Sequence, residues 1–243
     1  KELLRLELLT SLEKYTKAMF YAQYKRPFIV SNHHLRIFKA LQDVVDGKCR
    51  RLIINMPPRY GKTETGIKSF ISWCFALNPK CRFLHLSYSD MLVNDNSDTV
   101  RNIMREELYA TLFPKSALAS DKGSAKRWKT KAGGELYAVS TQGQVTGFGA
   151  GNVDIDPESM LNDWLVTEAK SYEELTRLNE LFDMIGATSN VFQGAILIDD
   201  PMKPEDAESD IVRERINQRF ENTIRNRVNS RNTPIIIIMQ RLH

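Results

Sequence analysis

Short apolar runs alternate with amphipathic stretches along most of the chain, and the two patterns predict different elements. Apolar runs bounded by turn residues are typical of strands, whereas apolar positions three and four residues apart are typical of helices. The predicted strands are residues 51–55, 82–87, 127–130, 135–140, 195–201 and 234–239. The predicted helices are residues 1–20, 33–45, 63–77, 90–108, 157–185 and 204–228.

Strands that alternate with helices usually form a parallel sheet with helices on both faces. The pattern therefore predicts one three-layer α/β domain over residues 1–243, with a helical segment at 1–24 ahead of the first strand. In that segment, Leu4, Leu8 and Leu12 recur at helical spacing. Glutamates interrupt the segment, so it does not have the character of a secretion signal.

A hairpin and a glycine-rich loop interrupt this alternation at residues 120–151. The strands 127–130 and 135–140 flank a Gly-Gly turn, which is typical of a hairpin. Four glycines then fall within nine positions, and we expect this loop to adopt backbone angles that other residues resist. These glycines are Gly143, Gly147, Gly149 and Gly151.

The charge is unevenly distributed. Residues 152–193 contain nine acids against Lys170 and Arg177, which gives this segment a net charge of −7. Because the whole chain has a net charge of +4, the remaining residues carry +11. A basic body suits a polyanionic partner that contacts it away from the acidic segment, although ordinary solvated charge is the alternative. We interpret 152–193 as an inserted helical pair: a lid, a subunit contact, a partner site or a passive insertion.

Composition limits the class of protein. With 42% hydrophobic residues in 243, the chain can bury a sizeable core. No apolar run approaches the roughly 20 residues of a membrane span, so no membrane association is expected. Three cysteines, an odd number without metal-ligand spacing, predict a reduced intracellular protein.

The most informative segment follows the first predicted strand. Residues 56–63 read Met-Pro-Pro-Arg-Tyr-Gly-Lys-Thr and lead into a predicted helix. A strand, a tight turn and a helix N-terminus together present backbone N–H groups and a positive dipole end to a phosphate. Lys62 would reach the β and γ phosphates, and the Thr63 hydroxyl would bind Mg²⁺. The usual first glycine of such a loop is replaced by Met56.

A second feature is the strand that ends in Asp199 and Asp200. A carboxylate at this end of a buried strand can hold Mg²⁺ beside a phosphate loop, which is the role we expect for Asp199. Asp200 would then polarise the attacking water as a general base. The alternative is that both acids only begin the helix after Pro201.

The last strand ends in Gln240 and Arg241. Ligands of a parallel sheet lie at the carboxyl ends of its strands, so these two side chains would emerge beside the γ-phosphate and sense it. A polar strand end at the surface is the alternative.

Taken in order, residues 57–64, 197–201 and 239–243 resemble the three ATPase motifs of large terminase subunits, the DNA-packaging motors of tailed double-stranded DNA phages. The likeness extends to residues 27–28, 33–35, 87–89 and 146–151 and covers most of the chain apart from the acidic segment. It implies a P-loop NTPase fold of the RecA/helicase-like additional-strand type, with ATP and Mg²⁺ as cofactors.

The resemblance also implies roles for individual residues. The family replaces the first glycine and keeps an arginine in the loop, so Arg59 would sense the phosphates. Its catalytic base is usually Glu, where this chain has Asp200. A neighbouring subunit supplies an arginine, for which we favour Arg101 over Arg105, Arg225 and Arg227. The residues expected around the nucleotide are Pro58, Arg59, Tyr60, Gly61, Lys62, Thr63, Glu64 and, near the adenine, His34.

The partners implied are double-stranded DNA, the portal protein and the small terminase subunit, in the host cell cytoplasm. We expect a homo-oligomeric ring, a pentamer, on the procapsid, and a monomer in isolation. The family's C-terminal nuclease domain is expected to be absent from this chain, which predicts no DNA cleavage. Alternative functions are a helicase-like or DNA-repair ATPase, or an assembly module that binds nucleotide without turnover.

Two basic patches are candidates for contact with the DNA backbone. The first surrounds an aromatic residue, Trp128, and the second is on the helix predicted at 204–228. Either patch is equally consistent with ordinary surface. Their members are Lys122, Lys126, Arg127, Lys129 and Lys131 in the first, and Arg213, Arg215 and Arg219 in the second.

Overall fold

The structure is a computed structural model that describes residues 1–119, 124–143, 145, 147–151 and 192–242. The strands in these ranges are β1 (Arg51–Asn55), β2 (Arg82–Ser87), β3 (Arg127–Lys129), β4 (Glu135–Ser140), β5 (Ile196–Asp199) and β6 (Ile235–Met239). The α-helices are α1 (Glu2–Leu9), α2 (Leu12–Tyr24), α3 (Asn32–Val45), α4 (Phe70–Leu77), α5 (Asp90–Arg105), α6 (Glu107–Leu112) and α7 (Asp210–Arg219).

The six strands form one sheet in the order β1-β6-β5-β2-β4-β3. Every neighbouring pair is parallel except β3 and β4, which form the predicted antiparallel hairpin. The last strand along the chain, β6, lies between β1 and β5. The carboxyl ends of these three strands are therefore adjacent. A mixed α/β fold with a mainly parallel sheet is confirmed.

The main hydrophobic core lies between the sheet and helices α1–α6. Phe70 and Trp73 on the helix after the loop are fully buried there, and the Trp73 indole N–H donates to the carbonyl oxygen of Leu8 at 2.9 Å. Truncation of such a buried aromatic typically costs about 3–5 kcal/mol. This core holds the helix after residue 63 firmly against the sheet.

The opposite face of the sheet carries a second, smaller core. Ile196, Ile198 and Ile235 from the strands pack there with Phe148 and Ile224. In the described residues, irregular segments and short helical turns form this layer. The residues of α7 are all at least partly exposed, and a cavity of about 520 Å³ lies between that helix and the strands.

Four predicted helices differ from those observed. The segment at 1–24 is two helices, because the Ser11 side chain accepts a hydrogen bond from the Lys14 N–H at 3.2 Å and begins a new helix. The helix predicted at 63–77 starts with a π-helical turn at Glu64–Ser69. The helix at 90–108 divides into α5 and α6. The helix predicted at 204–228 consists of Pro204–Glu208, α7, Phe220–Ile224 and Arg225–Arg227.

The Trp128 ring does not take part in the basic patch that the sequence predicts around it. The side chain is only 3% exposed and its indole N–H donates to Ser97 Oγ at 2.8 Å, so the ring belongs to the core. Lys126 and Lys129 beside it are exposed. Lys122 and residues 152–191 of the predicted insertion lie outside the described residues.

None of the helices in the described ranges combines the length and apolar character of a membrane span.

Comparison of Gly151 in the glycine-rich loop with Gly133 in the hairpin turn tests how the loop packs. Gly151 has φ +71°, and a Cβ there would lie 2.5 Å from Thr233 Oγ1, whereas Gly133 has φ +94° and open space around it. Both Gly→Ala changes incur the backbone cost of about 1–2 kcal/mol. We expect Gly151→Ala to lower the free energy of unfolding by at least about 1 kcal/mol more than Gly133→Ala in urea titrations. Equal losses would contradict the packing of this loop.

Candidate functional site

The loop between β1 and the next helix turns sharply after a buried anchor. Met56 is 6% exposed, and its N–H donates to the carbonyl oxygen of Met239 on β6 at 2.9 Å. Arg59 and Gly61 both have positive φ, +67° and +77°. A left-handed angle costs Arg59 about 1–2 kcal/mol, and such strain concentrates at ligand-binding loops. Residues 57–60 are exposed at the carboxyl edge of the sheet.

His34 supports this loop from beneath. The Ser31 N–H donates to His34 Nδ1 at 3.1 Å, so Nδ1 is the acceptor and Nε2 carries the proton that is donated to the carbonyl oxygen of Tyr60 at 3.0 Å. A Cβ on Gly61 would lie only 2.8 Å from His34 Nε2. Burial, and then the neighbouring His33, lower the pKa of His34. The ring therefore packs against the loop, and its contact with adenine stays a prediction.

Lys62 and Asp200 form an ion pair at the centre of the site. Lys62 Nζ lies 2.5 Å from both carboxylate oxygens of Asp200, and the lysine is only 7% exposed. Asp200 itself has φ +47°, and its Oδ1 also accepts from the backbone N–H of Gln240 at 3.2 Å. The loop, the end of β5 and the end of β6 thus meet at one carboxylate.

Thr63 and Asp199 form a second contact between the loop and β5. Thr63 Oγ1 donates to Asp199 Oδ2 at 2.9 Å. Burial, and then the charge of Asp200, raise the pKa of Asp199 from 3.8 to about 6. Its other oxygen, Oδ1, is buried and makes no hydrogen bond within the described residues.

These residues fit a magnesium ion. The orphaned Asp199 Oδ1 and the Thr63 hydroxyl are hard oxygen ligands, and a cation beside them would keep the carboxylate ionised. Among the described residues, no group of three or more His, Cys, Asp or Glu side chains is arranged to hold a metal. Two protein oxygens would leave the remaining positions of the ion to water and other ligands, an arrangement common for Mg²⁺.

The other predicted site residues differ in their partners and in their exposure. Glu64 points along its own helix and pairs with Lys68 at 3.3 Å. Arg101 lies on α5 with its side chain only 12% exposed and pairs with Asp98 at 3.3 Å. Pro58, Arg59, Tyr60 and Arg241 are exposed, and Gln240 is half-buried. The contacts bring together Lys62, Thr63, Asp199, Asp200 and Gln240.

Sequence reasoning missed two buried polar residues, His85 on β2, whose ring contacts the carbonyl oxygen of Leu197 on β5, and Asn96 on α5, which contacts His85. Both are buried, with exposures of 0% and 8%. A signal was present for each. His85 interrupts the apolar strand Phe83-Leu84-His85-Leu86, and Asn96 lies on the apolar stripe of α5 between Val93 and Val100.

No family model matches the chain, and no curated protein matches it. Among solved structures, the fold is similar to the crystal structure of the HK97 bacteriophage large terminase, with a TM-score of 0.50 and 12% sequence identity. The match covers 95% of this chain, which spans 38% of the length of that protein. The resemblance that the motifs indicate is therefore confirmed as a likeness of fold.

The raised pKa of Asp199 predicts that the neutral isostere stabilises the protein. A carboxyl group whose pKa is 3.8 unfolded and about 6 folded contributes stability below pH 4, which is lost as the pH rises through 6. In urea titrations at pH 7.5 without metal, we expect the free energy of unfolding of Asp199→Asn to exceed that of wild type by up to roughly 3 kcal/mol. The difference should shrink towards pH 4. A variant that is less stable than wild type at pH 7.5 would contradict this burial cost.

Proposed function

We propose that this chain is the ATP-hydrolysing motor domain of a viral large terminase subunit, which drives double-stranded DNA into a procapsid. One observation carries the proposal: two loop residues pair with two consecutive acids that follow them by 138 and 136 residues. These pairs are Lys62 with Asp200 and Thr63 with Asp199. A phosphate-binding loop beside paired carboxylates is the arrangement that phosphoryl transfer requires.

The topology supports this reading. The strand that delivers the loop, β1, and the strand that delivers the acids, β5, are separated by β6. A strand inserted between these two is what the additional-strand type of P-loop fold predicts. It also brings the end of β6, with Gln240 and Arg241, to the edge of the sheet at which we propose that the phosphates bind.

Each residue has a distinct part in the proposed reaction. Lys62 exchanges the Asp200 carboxylate for the β and γ phosphate oxygens, because an ammonium group on a flexible stem can change partners. Asp199 and Thr63 would hold Mg²⁺, which supplies neutralising charge to the phosphates. Once Lys62 has left, Asp200 can accept a proton from the attacking water. Arg59 adds charge to the same phosphates from the exposed side of the loop.

The proposed coupling to DNA runs through β6. The Gln240 N–H contacts the same Asp200 oxygen that Lys62 holds, at 3.2 Å. A change of partner at Asp200 therefore alters the environment of the strand end that carries Gln240 and Arg241. In this proposal, Gln240 and Arg241 sense the loss of the γ-phosphate. Arg101 of a neighbouring subunit completes the site of each subunit in the ring. The assembled ring contacts the portal protein and the small terminase subunit.

Lys62→Ala should lower ATP turnover about 10²–10³-fold, because it removes the cation that the phosphates require. Phosphate release from Mg·ATP, with and without linear double-stranded DNA, measures this effect. Lys68→Ala is the matched control, since Lys68 lies on the same helix and pairs with Glu64. Near-wild-type turnover by Lys62→Ala would overturn the site assignment. A wild type that binds ATP but releases no phosphate would favour a non-hydrolysing assembly module.

Asp200→Asn should separate binding from turnover. The change removes the carboxylate that pairs with Lys62, so we expect ADP to bind at least as tightly as to wild type while hydrolysis falls about 10²–10⁴-fold. Fluorescent ADP binding and phosphate release measure the two effects. Asp210→Asn, which changes an acid with 91% side-chain exposure, serves as the control. Unchanged hydrolysis in Asp200→Asn would show that another group activates the water.

A further inference from the structure

The helix that follows the loop at residues 56–63 meets the sheet through a glycine. Gly66 lies in the π-helical turn Glu64–Ser69, directly after this loop. A Cβ on Gly66 would overlap Cδ1 of Ile238 on β6, whereas Cγ1 of the same side chain would lie at an ordinary contact distance of 3.6 Å. Gly66 has no positive φ, so its backbone angles suit other residues. Lack of space therefore requires glycine at this position, and the backbone does not.

The contact between Gly66 and Ile238 has little room to relax. Ile238 is 0% exposed and belongs to the main hydrophobic core together with Ile67 and Phe70. Protein interiors are packed about as densely as organic crystals, so a side chain in this core cannot withdraw freely. Glycine is also less favourable than alanine inside a helix. A glycine that weakens the helix is explained by the close approach to the strand that it allows.

The two acids are attached to the same residue of β6. The carbonyl oxygen of Ile238 accepts from the Asp200 N–H at 2.8 Å, and Ile238 lies opposite Asp199 in the register of β5 and β6. Two residues further along β6, the N–H of Gln240 donates to Asp200 Oδ1 at 3.2 Å. Ile238 therefore carries the backbone of Asp200 on one side while its side chain supports the helix.

The loop is attached to the helix on the other side of this contact. Thr65, next to Gly66, is fully buried, and its Oγ1 donates to the carbonyl oxygen of Gly61 at 2.9 Å. Lys62 precedes Gly66 by four residues, about one helical turn, so the two residues lie on the same side of the helix. A displacement of the helix away from Ile238 would therefore also displace Lys62 from Asp200.

We propose that Gly66 is a positioning residue: it lets the helix rest on Ile238 at the depth that brings Lys62 and Thr63 to the two acids. This inference rests on the proposed function, which gives that depth its purpose. A methyl group on residue 66 would have to move by roughly 1 Å to reach normal contact distance. A misplacement of about 1 Å in a site that depends on geometry can lower its rate about 10²-fold.

A role in packing alone predicts a different result. Gly66→Ala would then lower stability, but the folded protein would bind nucleotide as wild type does. Positioning predicts a defect in the folded protein that a second change can repair. Ile238→Val is that change, because valine lacks the Cδ1 atom that would overlap and keeps the carbon that lies at 3.6 Å.

The test compares single and double variants of the full chain. Fluorescent ADP binding in EDTA, turnover of saturating Mg·ATP and urea unfolding are measured for each. We expect folded Gly66→Ala to bind ADP about 10-fold more weakly and to turn over ATP about 10–100-fold more slowly. Adding Ile238→Val should restore both values to within about threefold of wild type, and Ile238→Val alone should stay within the same limit.

Gly134→Ala is the matched control. Gly134 also lacks a positive φ, and a Cβ there would overlap the carbonyl oxygen of Pro79. It precedes β4, at the opposite edge of the sheet from the loop, so we expect lower stability with unchanged ADP affinity. Wild-type ADP affinity in folded Gly66→Ala would overturn the inference. So would a double variant that regains stability but not affinity.

A further variant keeps the test decisive if Gly66→Ala does not fold. Ile238→Met reaches one atom further towards the helix, so we expect ADP affinity and turnover to fall, by less than in Gly66→Ala. Wild-type values in folded Ile238→Met would count against the inference. If wild-type protein neither bound ADP nor hydrolysed ATP, the proposed function itself would fail.

Discussion

The ion pair between Lys62 and Asp200 is the contact on which the rest of the site depends. It joins residues 138 positions apart, and both carboxylate oxygens lie 2.5 Å from the ammonium group. Because the pair is largely shielded from water, its attraction is stronger than that of a surface pair, and each partner would be costly to leave alone. The same carboxylate accepts from the N–H of Gln240, so three segments of the chain converge on one side chain.

The sheet makes this convergence possible. Parallel strands place their carboxyl ends at one edge, and β6 between β1 and β5 sets the spacing at which Thr63 reaches Asp199. The helical core behind the loop keeps that spacing, since the helix after residue 63 is anchored by fully buried aromatic residues such as Trp73. His34 holds the loop in place, since its ring packs against Gly61 and donates to the carbonyl oxygen of Tyr60. The strand order therefore determines which residues meet at the site, and the sequence of the loop determines the groups that it presents there.

The sequence predicted the strands well, because strands depend on local signals. Apolar runs ending in Asn55, Asp199 and Met239 mark three strands whose carboxyl ends are adjacent in the sheet. What depends on tertiary contacts was not predicted. Trp128 looks exposed among its lysines, yet Ser97 on α5 provides its buried hydrogen-bond partner. Asn96 looks like an ordinary polar helix residue until the fold brings His85 on β2 beside it. Serine is a common N-cap residue, so Ser11 was a signal for the start of a second helix. The apolar spacing continues across it, however, and favoured one uninterrupted helix.

In the proposed mechanism, Lys62 changes partners from a carboxylate to a phosphate while Thr63 and Asp199 hold the metal ion. A crystal structure of the chain with Mg²⁺, ADP and beryllium fluoride tests this mechanism, since that complex mimics the γ-phosphate. We expect Lys62 Nζ to contact the fluoride and the β-phosphate, the ion to lie beside Thr63 Oγ1 and Asp199, and Asp200 to face the position of the attacking water. A nucleotide bound elsewhere, with the Lys62–Asp200 pair intact, would contradict it.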